Sequence, residues 1–163
     1  MPSWKADWVN WDDPPNFLVN YRWRGFSAEN VRWMTTSFHL GHWHPLTWFT
    51  FALDWTRGTL DEHGVPVART YHQTSIVLHA LGAVLLFVFA RRVFARAAPA
   101  ANALWIDVAA CFGALLFAAH PLRAESVAWI TERRDVLSGL FLVTSVWMYV
   151  RAVAEPNARK PRT

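Results

Sequence analysis

Apolar positions gather into three blocks in the second half of the chain. They run from about Tyr71 to Ala90, from about Ala100 to Ala119, and from Val136 to Val150. A helix crossing a bilayer needs roughly 17–25 mostly apolar residues. The first block meets that length. The second meets it by tolerating Asp107 near one end, and the third by borrowing from a helix that begins upstream near Glu125. None of the three carries the polar stripe that a surface helix of a soluble bundle needs, so buried helices of a soluble all-α protein are the weaker reading. The pattern predicts an all-α, multi-span membrane protein with about three transmembrane helices.

The first 70 residues follow another pattern. They lack a long apolar run and hold eight of the eleven tryptophans: Trp4, Trp8, Trp11, Trp23, Trp33, Trp43, Trp48 and Trp55. Ser27 predicts the N-cap of a short helix over 28–36. Pro45 predicts the first turn of a second helix reaching toward Thr56. On it Trp48, Phe51, Ala52 and Trp55 share one face, which fits a helix lying in the membrane interface or, equally, a stripe turned to a core. Tryptophan favours the interface, so residues 1–70 are expected to form an outer-side segment with short interfacial helices. The first ten residues lack the apolar core of a signal peptide.

Composition sharpens this. The chain of 163 residues is 53% hydrophobic and 17% charged, with a net charge of +4. So apolar and aromatic a chain is not disordered. Cys111 is the one cysteine, which excludes a disulfide framework. Basic residues form no dense patch, so a nucleic-acid partner is not expected. Uncompensated arginine and lysine fall in 91–103 (Arg91, Arg92, Arg96) and in 151–163. Segments 1–70 and 120–135 are near neutral. By the positive-inside rule the basic segments are cytoplasmic, 155–163 being a cytoplasmic tail, and the others share the outer side. Delivering residues 1–70 outward calls for a preceding span, so the chain is expected to be part of a longer protein.

Three constellations carry candidate chemistry. Asp12 and Asp13 are adjacent carboxylates before a proline, suited to a general base or to a divalent cation, or else a solvated turn. In 120–135, a helix from about Ala124 would align Glu125, Trp129 and Glu132. Beside them Arg133, Arg134 and Asp135 form either a salt-bridge network capping a span or an arginine clamp for phosphate. His39, His42 and His44 are a weak alternative for zinc, lacking a nearby cysteine; His44-Pro45 reads better as a turn into the second helix. His79 and Asp107, inside spans, are expected to find a helix partner and the interface respectively.

In order along the chain stand NWDDP, GHWHPLTW with its following LD, the Leu78-His79 pair, and HPLxxESVAWxxERxDVL. Over roughly residues 9–150 this resembles the membrane domain of the transmembrane and tetratricopeptide-repeat O-mannosyltransferase-like proteins, common in bacteria and present in animals. The resemblance implies the multi-span GT-C glycosyltransferase fold. It implies transfer of a sugar, with inversion, from a polyprenyl-phosphate carrier to a protein Ser/Thr hydroxyl on the outer face. Either Asp12 or Asp13 is the implied base. Glu125 is expected to orient substrate, Arg133 and Arg134 to hold the lipid phosphate, and Glu132, Asp135 and His44 to line the substrate site. Implied partners are the bilayer, the lipid-linked sugar, the acceptor protein, and further helices and repeats; the implied place is a bacterial inner membrane with 1–70 and 120–135 periplasmic. The other reading is a non-catalytic anchor that presents the repeats. The implied site draws on more helices than these, so this stretch alone is expected to be inactive.

Overall fold

A computed structural model describes residues 7–154. The expected tail 155–163 and Trp4 lie outside the described residues. Helices and turns account for the architecture, with no strand among the described residues beyond two isolated bridges, His39 with His42 and Leu60 with Pro66.

The N-terminal lobe is built from two helices and a π-helical turn at Pro14–Leu18. Helix α1 spans Ala28–Thr36, and Ser27 caps it by accepting from the Asn30 amide. Helix α2 spans Pro45–Arg57, opening on the proline whose missing N–H is no loss in a first turn. Both match the elements expected from the caps. The stripe of α2 resolves toward the core: Trp48, Phe51 and Ala52 are buried and Trp55 half-buried. They meet Phe17, Trp23, Met34, Tyr71 and Ile130, with Trp8 and Trp33 against them. The interfacial expectation for this face is thereby corrected. Rings of this size bury large apolar areas and pack edge to face, as Phe17 does on Phe51 at 4.6 Å between centroids. Two indole N–H groups of the lobe donate to carbonyls, Trp23 to Asn16 at 2.9 Å and Trp8 to Pro66 at 2.8 Å, while that of buried Trp48 has no hydrogen-bond partner among the described residues. Trp11 and Trp43 remain exposed.

Three long helices follow: α3 (Ala68–Ala97), α4 (Ala103–Ala119) and, after a break, α6 (Arg133–Ala154). Helix α3 lies between the other two. At ~1.5 Å per residue it is about 45 Å long, more than the ~30 Å hydrocarbon core requires. The stretches Ala68–Ala97 and Ile130–Val153 are long and apolar enough to cross a membrane, yet only 6% and 11% of their apolar windows is buried within the protein. A soluble bundle would bury such surface; here Val84, Leu116 and Leu142 face outward. Helix α4 is shorter; together with Pro121–Ala128, bent from it by 51°, it has the length and apolarity of a third span only if the bent pair counts as one.

Contacts at the two ends fix the arrangement. Arg91 of α3 pairs with Asp107 of α4, and Arg92 lies over the Trp147 ring of α6 at 4.8 Å. At the other end Arg133 of α6 meets Tyr71 and Ser75 of α3. Residues 120–132 therefore sit with the N-terminal lobe, and the arginines of 91–96 lie at the far end. His79 meets the Ala118 carbonyl at 3.2 Å, the neighbouring-helix partner expected of it.

The expected continuous helix from Ala124 does not form. Helix α5 (Ala124–Ala128) stops at Trp129, whose backbone is extended at φ −93°, ψ 117°, and a 3-10 turn at Ile130–Glu132 leads into α6. The reason is tertiary: the break sends the Trp129 indole N–H to Asp13 at 3.2 Å and the Thr131 hydroxyl to the same carboxylate at 2.7 Å. Glu125, Trp129 and Glu132 accordingly share no helical face.

Candidate functional site

The break and the π-helical turn meet at a cavity of about 170 Å³. Its walls include Asp12 and Asn16 from the turn, His39 and His44 from the segment before α2, and Thr131 and Arg134 from the start of α6. Phe17, Trp48 and Phe51 of the aromatic core form its floor. Pockets for drug-sized ligands run from roughly 300 Å³ upward, so this one takes the reacting ends of larger molecules, such as a hydroxyl beside a phosphate, and not a whole ligand.

The two carboxylates of the acidic pair differ. Asp13 is fully buried; Oδ2 accepts from the Val9 amide at 2.8 Å, and Oδ1 accepts from Thr131 and Trp129. Three donors hold it as the clamp joining the turn to the break. Asp12 is half-buried and faces the cavity.

The arginine pair divides likewise. Arg133 is fully buried, with its guanidinium 4.3 Å above the Phe51 ring. Nε donates to Ser75 Oγ at 3.1 Å, Nη1 donates to Thr50 at 3.2 Å and lies 2.6 Å from Asp54 Oδ2, and Nη2 donates to the Tyr71 carbonyl at 2.6 Å. A group so engaged does not reach a phosphate in the cavity, contrary to the role expected for it. Arg134 does face the cavity, held by Glu132 at 2.6 Å. Glu132 thus orients the guanidinium and is not itself on the lining.

His44 stacks on Trp48 at 5.0 Å, and its Nδ1 is buried without a hydrogen-bond partner. Burial, aided by the charge of Arg134, pushes its pKa down to about 4. His39 is lowered as well, chiefly by burial, with the Pro15 carbonyl acting the other way. Both of these imidazoles are neutral at pH 7, and Arg134 is the permanent cation on the lining. Among the described residues, no group of three or more His, Cys, Asp or Glu side chains is arranged to hold a metal ion. The zinc alternative on His39, His42 and His44 finds no support; His39 and His42 instead exchange backbone hydrogen bonds across a tight turn in which Leu40 and Gly41 take φ of +49° and +81°.

Besides Asp13, Glu132 and Arg133, two more expected site residues lie off the cavity. Glu125 is exposed, and Asp135 is exposed and accepts from Ser126 at 2.7 Å. Three residues that had no assigned role prove central. Thr131 and Asn16 bond to each other at 3.3 Å on the cavity wall. Asp54 is fully buried and accepts from Thr74 at 2.6 Å and Arg57 at 2.7 Å besides facing Arg133. A signal for Asp54 did exist: a lone carboxylate beside a Trp/Phe stripe demands a buried partner.

No family model matches the chain, and no solved structure does. Among curated proteins, it is 30% identical over 125 residues to the protein O-mannosyl-transferase tmtc2 of Xenopus laevis, covering 75% of this chain and 13% of that protein. It is 30% identical over 118 residues to TMTC4 of Homo sapiens, covering 71% and 15% respectively. It is 26% identical over 117 residues to TMTC3 of Mus musculus, covering 71% and 11%. The chain thus spans about one-eighth of the length of the relatives it matches, all three being animal proteins. With its helical, membrane-spanning architecture, the chain belongs to the family of TMTC-like protein O-mannosyl-transferases.

Proposed function

We propose that this chain supplies part of the transfer site of a membrane glycosyltransferase that moves mannose from a polyprenyl-phosphate carrier to a protein Ser or Thr hydroxyl. The observation that carries the reading is the pairing of Asp12 with Arg134 on one small cavity, while their neighbours Asp13 and Arg133 are locked inside the protein. A carboxylate free to take a proton and a cation able to meet a leaving phosphate are the two groups the reaction needs.

In this reading the acceptor hydroxyl enters the cavity and gives its proton to Asp12. Its oxygen bonds to the anomeric carbon as the carbon–oxygen bond to phosphate breaks, and the phosphate leaves with the electron pair. Attack from the face opposite the phosphate inverts the anomeric centre. Arg134, held by Glu132, stabilises the charge gathering on the phosphate. Neutral His44 offers its unpartnered Nδ1 to a sugar hydroxyl. The lobe and residues 120–132 face the outer side, opposite the arginines of 91–96. A bacterial inner membrane draws no support from the animal relatives.

The test uses full-length protein in sealed vesicles, with labelled polyprenyl-phosphate mannose as donor and a Ser/Thr peptide supplied on one side at a time. Transfer is expected from the face bearing the N-terminal lobe only. Arg134→Gln is expected to lower it by about 10²–10³-fold, the usual effect of removing one charge-stabilising donor, with partial return in Arg134→Lys. Absence of transfer by the unaltered protein would favour the anchor reading.

A further inference from the structure

Two further recesses lie beyond the cavity, the first sharing a wall with it and the second with the first. His39 lines both the cavity and a groove of about 460 Å³ walled by Pro14, Pro15, Val19 and Trp33. Arg22 and Trp33 line both that groove and a polar recess of about 210 Å³ beside α1. The three form one track from Asp12 to the recess. The groove is largely apolar, and Asn20 on it keeps its Nδ2 donor buried without a partner. The recess carries two exposed arginines, Arg22 and Arg32, against one carboxylate, Glu29, with Thr36 and Ser37 at its side. Among the described residues neither guanidinium makes an ion pair.

We infer that this track is an acceptor-peptide groove, and that it selects Ser/Thr acceptors carrying an acidic residue a few positions from the hydroxyl. The inference rests on the proposed transfer reading and extends it to substrate choice. An extended peptide suits the track: Pro and Trp walls take side chains, the orphaned Asn20 amide donates to a backbone carbonyl, and the surplus arginine in the recess takes one carboxylate. A lipid headgroup suits it less. Helix α1 packs chiefly on α2 and not on the spanning helices, so the recess stands on the part of the lobe away from them.

Full-length protein in nanodiscs is titrated with three probes: a Ser/Thr peptide bearing Asp or Glu, the same peptide with Asn or Gln instead, and vesicles containing phosphatidylserine. The unaltered protein is expected to bind the acidic peptide about fivefold more tightly than its amide twin, the upper scale of one partly exposed ion pair, and the margin is expected to shrink with salt. Arg22→Glu with Arg32→Glu is expected to erase or reverse that margin; the single changes Arg22→Gln and Arg32→Gln give half-effects if the double variant disturbs the lobe. Equal binding of the two peptides, or a double variant that loses vesicle binding and keeps the peptide margin, overturns the inference. The two readings separate cleanly. Transfer without acidic preference sinks the groove alone, whereas preference in binding without any transfer keeps the groove and sinks the transfer reading.

Discussion

Neighbouring side chains at the cavity carry opposite duties. Asp13 and Arg133 point inward and saturate their bonds, and Asp12 and Arg134 are left to face the opening. The imidazole between them is a test of the same environment. His44 has a folded pKa of about 4 against an ordinary 6.5, mainly through burial, so the unfolded chain binds its proton first. Stability is then complete above about pH 6.5 and declines as pH falls toward about 4. Thermal unfolding of the purified protein between about pH 7.5 and about pH 4.5 is expected to show this decline, and His44→Gln to flatten it. An unchanged slope in that variant would contradict the buried, neutral imidazole.

At the scale of elements, local rules read well and long-range ones did not. The Ser27 cap and the Pro45 start lay in a few adjacent residues, so α1 and α2 were legible. The stripe of α2 was legible too, but not what covered it, since lipid and a Phe17–Trp23 core ask for the same spacing. The break at Trp129 was not legible, because its cause is the carboxylate of Asp13 at the other end of the described chain. For the same reason no pattern distinguished Asp12 from Asp13, or Arg133 from Arg134.

The ion pair of Asp54 with Arg133 joins α2 to α6. Breaking one side leaves a buried charge, so Asp54→Leu or Arg133→Met alone is expected to destabilise by about 3–5 kcal/mol. The double variant is expected to recover much of that, because an apolar pair of similar volume needs no ionic partner. Additive losses in denaturation of the single and double variants would contradict the coupling.

For the whole molecule, the three helices hold the lobe and the 120–132 segment together at one end and the basic turn at the other. The hydrophobic blocks foretold two or three helices long and apolar enough to cross a membrane, since span length is a local property of the chain.

The division of labour within the acidic pair is the central claim, and one comparison tests it. Asp12→Asn and Asp13→Asn are placed separately in the full-length protein, and both sugar transfer per folded molecule and unfolding temperature are measured. Asp12→Asn is expected to lower transfer by about 10²–10⁴-fold at an unaltered unfolding temperature. Asp13→Asn is expected to lose about 1–3 kcal/mol of stability, through donors left unpaired, while its folded fraction still transfers. Full transfer in Asp12→Asn, or a stable Asp13→Asn with no transfer, would contradict the account.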